Sequence, residues 1–139
     1  MKEKTKVISY IFRTNKDSIR EVLVFLHRDF PEAGIQVVGG TVDAGEELVP
    51  ALLRELAEES GLTALASDCH FLGETTYYRK DIPEKNLRHY YEVKIGGLPD
   101  SWSHTVQSDG ADNNMVFNFY WLSTEEAKRV LEGNFGECL

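Results

Sequence analysis

Apolar positions in the first quarter of the chain fall in two runs rich in β-branched and aromatic residues, TKVISYIFR (5–13) and REVLVFLHR (20–28), with TNKDSI between them. Such residues suit a pleated, half-buried backbone, so the runs predict two strands that pair across a turn. The Pro and Gly of DFPEAG mark a loop, after which IQVV (35–38) reads as a short strand delivering the chain into Gly39-Gly40. From Glu46 or Glu47 onward the period changes. At about 100° per residue, Val49, Leu52, Leu53 and Leu56 share one side and Glu55, Glu58 and Glu59 another. This predicts an amphipathic helix with an acidic outer face, ended at Gly61. Pro50 falls in its first turn, where backbone N–H groups have no intrahelical partner to lose.

Past the helix, 70–79, 86–95 and 114–122 read as strands, and in the last of them Met115, Phe117, Phe119 and Trp121 alternate onto one face that predicts core. STEEAKRVLE (123–132) opens with Ser123 three residues before Glu126, a capping box, and carries Ala127, Val130 and Leu131 on its buried side. No repeat or linker interrupts the order of strands, helix, strands, helix. The expectation is one domain over residues 1–139, of the α/β (α+β) class, with helices packed against a mixed β-sheet.

Charge narrows the function. A formal charge of −8 argues against sequence-independent binding of a nucleic acid polymer, which needs Lys and Arg to neutralise phosphates. A small anionic ligand stays open if a cation accompanies it. No apolar run approaches the roughly 20 residues of a membrane span, and MKEKTKVISYIFRTN lacks the apolar centre of a secretion signal. Cys69 and Cys138 stand far apart in no metal-binding spacing. Together these predict a cytoplasmic protein, with no membrane partner, that is compatible with a monomer or a homodimer.

The acid is concentrated. Between Gly39 and Leu62 the chain carries Asp43, Glu46, Glu47, Glu55, Glu58 and Glu59 against one cation, Arg54. Like charges three and four residues apart on a helix repel by about 0.2–0.5 kcal/mol per pair, and a helix built only for solubility would intersperse lysines. Three carboxylates on one face instead make a site for a hard divalent cation such as Mg²⁺, which commonly bridges to phosphates. Consecutive glycines let the backbone come close to such a site, and Arg54 can hold a carboxylate through two parallel hydrogen bonds.

Gly40, five residues, Glu46, seven residues and then Arg54-Glu55-Leu56-Ala57-Glu58-Glu59-Ser60-Gly61-Leu62 resembles the Nudix box of the Nudix hydrolases at every fixed position. One flanking position departs from the common pattern, Val38 standing where many members have proline. The resemblance implies an α/β/α sandwich around a central mixed sheet and a hydrolase that cuts a phosphoanhydride bond, with Mg²⁺ or Mn²⁺, in a nucleoside diphosphate linked to another moiety. It further implies metal ligation by Glu55, Glu58 and Glu59 and by the backbone carbonyl of Gly39. Arg54 would orient the carboxylates, and Glu46 would lie at the edge of the cluster. For the base that takes the water's proton, the residues leave Glu55 or Glu58 in the box and Asp109 or Asp112 in the polar loop QSDGADNN.

Substrate choice lies outside the box. Members that cleave diadenosine polyphosphates often carry a tyrosine a short way beyond it, and Tyr77 and Tyr78 stand close to that distance from Leu62. The order of expectation is a dinucleoside polyphosphate, then a nucleoside triphosphate or ADP-sugar, with Tyr77, Tyr78 and Arg79 as substrate contacts. Arg79, Lys80, Arg88 and His89 are candidate phosphate contacts, with scattered surface cations as the plainer reading. The alternative function is a nucleotide-binding sensor that keeps the fold without the chemistry.

Overall fold

The computed structural model describes residues 1–139. Its main elements are β1 (Lys2–Tyr10), β2 (Phe12–Thr14), β3 (Arg20–His27), β4 (Gly39–Thr41), α1 (Leu48–Ser60), β5 (Cys69–Tyr78), β6 (Glu84–Val93), β7 (Trp102–Thr105), β8 (Val116–Ser123) and α2 (Thr124–Val130). One sheet has the order β4-β1-β6-β5 and is mixed, because β1 and β6 run parallel while the other neighbours are antiparallel. A second sheet, β2-β3-β8-β7, is wholly antiparallel. No helix is long and apolar enough to cross a membrane.

Strand alternation sets the layers. Val7, Leu23, Phe25, Tyr91, Phe117, Phe119 and Trp121 gather with Ala51, Leu52 and Leu56 of α1. Ile8, Tyr10, Val22, Val24 and Tyr90 gather instead with Ala127 of α2 and with Leu131. Odd and even positions of the same strands thus face opposite helices, and the two sheets form the middle of an α/β/α sandwich.

Two expectations change. The run 5–13 is not one strand: it breaks at the buried Ile11, whose carbonyl accepts from Leu23 N–H at 2.9 Å. That break lets β1 take β6 as a nine-residue parallel partner, leaving only Phe12–Thr14 to pair with β3 in the other sheet. The β layer is therefore two sheets rather than one. IQVV likewise makes only isolated bridges, Phe25 with Gln36 and Ile35 with Leu131. Here Val37 and Val38 are spent filling the two cores, and the strand forms immediately afterwards, where β1 offers its free edge to Gly39–Thr41. The short β7 carries too few β-branched residues to be read from sequence. It is held by pairing with β8 and by Trp102 stacked on Phe119 at 5.0 Å.

Candidate functional site

Helix α1 starts at Leu48, directly after Glu47, and stops where Gly61 takes a left-handed φ of 76° and donates its N–H to Ala57 O. Its apolar side, Ala51, Leu52 and Leu56, is wholly buried. The acidic side is not the outer face expected from the periodicity. Glu59 is only 7% exposed, and the Glu55 and Glu58 side chains 13% and 23%, because this side of α1 packs toward β4 and the loop after β7.

The glycine pair makes that packing possible. A Cβ on Gly40 would lie 2.2 Å from Glu55 Cδ, and one on Gly39 would lie 2.7 Å from Val7 O. With hydrogen in both places the carboxylates settle onto the strand backbone, and Gly39 N–H donates to Glu59 Oε1 at 3.0 Å.

Arg54 organises the rest. Its Nε and Nη2 donate to Glu46 Oε2 and Oε1 at 2.8 and 2.9 Å. Nη1 donates to Glu55 Oε1 at 3.0 Å and Glu58 Oε2 at 3.2 Å, and Nη2 also reaches Thr41 O at 3.1 Å. All five guanidinium hydrogens are thereby used, and one rigid plane fixes three carboxylates and the end of β4. Glu46 in turn accepts from Asp43 N–H at 3.0 Å, closing the loop that leads into the helix. At the far end of α1, Glu58 O accepts from Gln107 N–H at 3.1 Å and meets His104 Nε2 at 3.1 Å, which ties the 107–115 loop to the acidic turn.

These contacts divide the carboxylates by their proton affinity. Hydrogen bonding from Arg54 holds Glu46 down at about 2. Burial, opposed by Arg54 and reinforced by Glu58, pushes Glu55 up to about 7. Burial and the adjacent Glu55 push Glu59 well above the ordinary carboxylate range. Burial thus favours the protonated form of Glu59, and a divalent ion would compete with that proton for the same oxygens. The donor set, all oxygen and all carboxylate, suits a hard cation. No three of these groups converge into a ligand cluster in this arrangement, since Arg54 draws Glu55 and Glu58 while Glu59 turns to Gly39.

The pattern of the NUDIX domain matches residues 3–136 of the chain. The chain belongs to the NUDIX family. It is a Nudix-type hydrolase whose box forms β4, the following loop and α1. No curated protein matches it in sequence. Among solved structures it is similar to the NUDIX domain of Shewanella oneidensis NrtR complexed with ADP ribose, with TM-score 0.70, 17% identity and coverage of 99% of this chain and 84% of that one. It is also similar to a MutT protein from Methanosarcina mazei Go1 (TM-score 0.68, 16% identity, 98% and 89% covered). A third is a C. elegans Ap4A hydrolase (TM-score 0.61, 18% identity, 96% and 93% covered).

A cleft of about 960 Å³ opens beside the Nudix box. Its walls include Gly39, Arg54, Glu55, Glu58 and Glu59, together with Tyr77, Arg79, Asp109 and Asp112, so most residues singled out from sequence share one cavity. Glu46 stands behind Arg54 rather than in the wall. Tyr78 points the other way, 60% exposed, as its place next to Tyr77 on a strand requires. Sequence reading missed most of the inner wall: Lys6 on β1, Asn86 on β6 and Phe135 after α2 also line the cleft, beside Arg88 of β6. Arg88 is no surface cation, its side chain being 3% exposed. The one signal in the sequence was Lys6, which closes the polar run KEKTK at the start of β1 and, in register, lies directly opposite both Thr41 and Arg88.

Proposed function

We propose that this protein hydrolyses a phosphoanhydride bond in a nucleoside diphosphate linked to another moiety, using Mg²⁺ or Mn²⁺. The observation that carries this reading is Arg54, braced from behind by Glu46, gathering Glu55 and Glu58 in the wall of a large cleft beside the buried Glu59. Glu55, Glu58 and Glu59, with the Gly39 carbonyl, are the groups that would hold the cation. When bound, it supplies neutralisation of phosphate charge and activation of water.

The chain's own residues do the remainder. Arg54 keeps the carboxylates from swinging, and Glu46 keeps Arg54 in plane. A proton released from the attacking water passes to Glu55 or Glu58, or to Asp109 or Asp112, all of which line the cleft. The substrate order is a dinucleoside polyphosphate, then a nucleoside triphosphate or ADP-sugar. Supporting this are the size of the cleft, at the upper end of ordinary small-molecule sites, the presence of Tyr77 and Arg79 in its wall, and a fold shared with an Ap4A hydrolase and an ADP-ribose-binding domain.

The test is product analysis over a panel of nucleoside diphosphate derivatives in ¹⁸O-labelled water with Mg²⁺ or Mn²⁺. Cleavage products carrying ¹⁸O on one phosphorus support the reading. Folded protein that leaves the whole panel intact with both metals sinks it.

A further inference from the structure

Four cations line the cleft: Lys6, Arg54, Arg79 and Arg88. Three of them are paired with carboxylates. Arg54 meets Glu46, Glu55 and Glu58, Arg79 meets Asp81 and, at 3.6 Å, Glu84, and Arg88 meets Glu137 at 3.2 Å. Lys6 has no such partner, and its one hydrogen bond runs from Nζ to the neutral hydroxyl of Thr41 at 2.7 Å. An ammonium carries three donors, so two are unspent. Burial and the neighbouring Lys4 lower its proton affinity by more than Glu84 and Glu55 raise it, the mark of an ammonium short of counter-charge.

Register fixes where this charge stands. Lys6 pairs with Thr41 of β4, and the Thr41 carbonyl accepts from Arg54 Nη2 at 3.1 Å. One residue therefore links the free ammonium to the clamp that holds Glu55 and Glu58. The pleat separates them by face. Val7 and Gly40 are turned toward α1, where a Cβ on Gly40 would strike Glu55, whereas Lys6 shares the side of Ile8 and α2. Carboxylates and ammonium thus flank β4, the edge strand of its sheet, whose Gly39 and Gly40 raise no side chain between them.

The two ends of this arrangement ask for different parts of one ligand. An ion held by Glu55, Glu58 and Glu59 neutralises the phosphates it touches, and a compound with only two phosphates brings nothing anionic beyond them. A longer chain carries further oxyanions past the rim of β4, and in a protein of net charge −8 these need a cation of their own. Lysine suits the task, because its ammonium is a point charge with rotatable donors that meets an oxyanion without demanding one orientation.

Resting on the reading that the cleft holds a nucleotide beside a divalent ion, we propose that Lys6, aimed by Thr41, binds a phosphate beyond the two at the acidic turn and so selects substrates with three or more consecutive phosphates. Dinucleoside polyphosphates and nucleoside triphosphates meet this condition, and ADP-sugars do not. Lys6 is a specificity residue and takes no part in breaking the bond.

The experiment compares diadenosine diphosphate with diadenosine tetraphosphate, which share their end groups and differ in phosphate count, by kcat/KM with Mg²⁺ and by calorimetric binding of their methylene-bridged analogues. The tetraphosphate is expected to lead by about 10- to 100-fold, the scale of a hydrogen bond to a charged group. Lys6→Met should bring the ratio near one, with the loss for the tetraphosphate in KM rather than kcat. Lys6→Arg, which keeps the charge, should retain most of the lead, and Thr41→Val, which leaves the ammonium unaimed, should cut it severalfold. Should Lys6→Met fail to fold, Lys6→Gln is read in the same way. A wild type that handles the two compounds alike overturns the proposal, as does a lead that persists undiminished in either folded variant lacking the charge. Cleavage of neither compound counts against the hydrolase reading, while the affinity ratio of the analogues still decides whether Lys6 reads phosphate count.

Discussion

Arg54 and Glu46 are joined by two parallel hydrogen bonds, Nε to Oε2 at 2.8 Å and Nη2 to Oε1 at 2.9 Å, across the loop that separates β4 from α1. The pair fixes the guanidinium plane, and that plane presents Nη1 to Glu55 and Glu58 together. A lysine could keep the charge but not the fork. Arg54→Lys is therefore expected to lower kcat/KM by about 10²-fold, the scale of loss that follows a misplacement of roughly 1 Å, with Tm falling only a few degrees. Steady-state kinetics beside thermal melts check this; a variant as active as wild type would remove Arg54 from the positioning role.

Glu58→Gln and Glu59→Gln each retain volume and remove one anionic oxygen donor. Turnover should fall by about two orders of magnitude or more in each while the fold persists. Isothermal titration with Mn²⁺ provides the independent readout, since stoichiometric uptake should weaken in both variants. Uptake and turnover both unaffected would mean that the acidic turn holds no metal.

Burial raises the proton affinities of Glu55 and Glu59, and this gives a stability prediction with a definite sign. A carboxyl whose folded pKa lies above its unfolded value favours the fold below the unfolded pKa, and the benefit is lost as pH rises through the folded pKa. For Glu55 that window runs from about 4.5 to about 7. In the presence of a chelator, wild-type Tm should decline across it, while Glu59→Gln melts above wild type at pH 8 and converges with it near pH 4. Added Mg²⁺ should recover the wild type at pH 8 and leave Glu59→Gln largely unmoved. Parallel melting curves for the two proteins at all pH values would show that Glu59 is ionised in the metal-free fold.

Gly40 sits under Glu55 with no room for a methyl group, a Cβ there lying 2.2 Å from Glu55 Cδ. The obstruction is the end of a flexible side chain, so the carboxylate moves and the strand does not. Gly40→Ala should cost at least tenfold in kcat with a small change in Tm. A large loss of stability instead would show that the glycine serves the fold.

Asp109 and Asp112 line the cleft from the 107–115 loop, whereas Glu55 and Glu58 line it from α1. Asp109→Asn and Asp112→Asn separate the two sources of base. The variant that removes the base should lose kcat by about 10²- to 10⁴-fold and flatten the acidic limb of the pH–rate profile. If both profiles keep their shape, the base lies in the box.

Much of the site was legible because its information is local. The positions of Gly40, Glu46, Arg54, Glu55, Glu58, Glu59 and Gly61 follow from helical geometry and one tight turn, and their match to the Nudix box pointed to the family. Alternation within strands and the capping of α1 and α2 were local as well, and the structure bears them out: Gly61 adopts the left-handed conformation, and Ser123 Oγ accepts from Glu126 N–H. What periodicity cannot reveal is which elements meet. The acidic face of α1 looked like a solvated surface because a helical wheel shows sides but not neighbours, and only packing against β4 and the loop after β7 buries Glu59. The break at Ile11, the parallel pairing of β1 with β6, and the confinement of Arg88 between Tyr77 and Phe135 all join residues far apart in sequence. By itself, then, the sequence determined the acidic cluster proposed to act and the elements that carry it. The tertiary structure alone decided which carboxylates lose their water and which walls complete the cleft, because desolvation and enclosure are properties of the assembled layers.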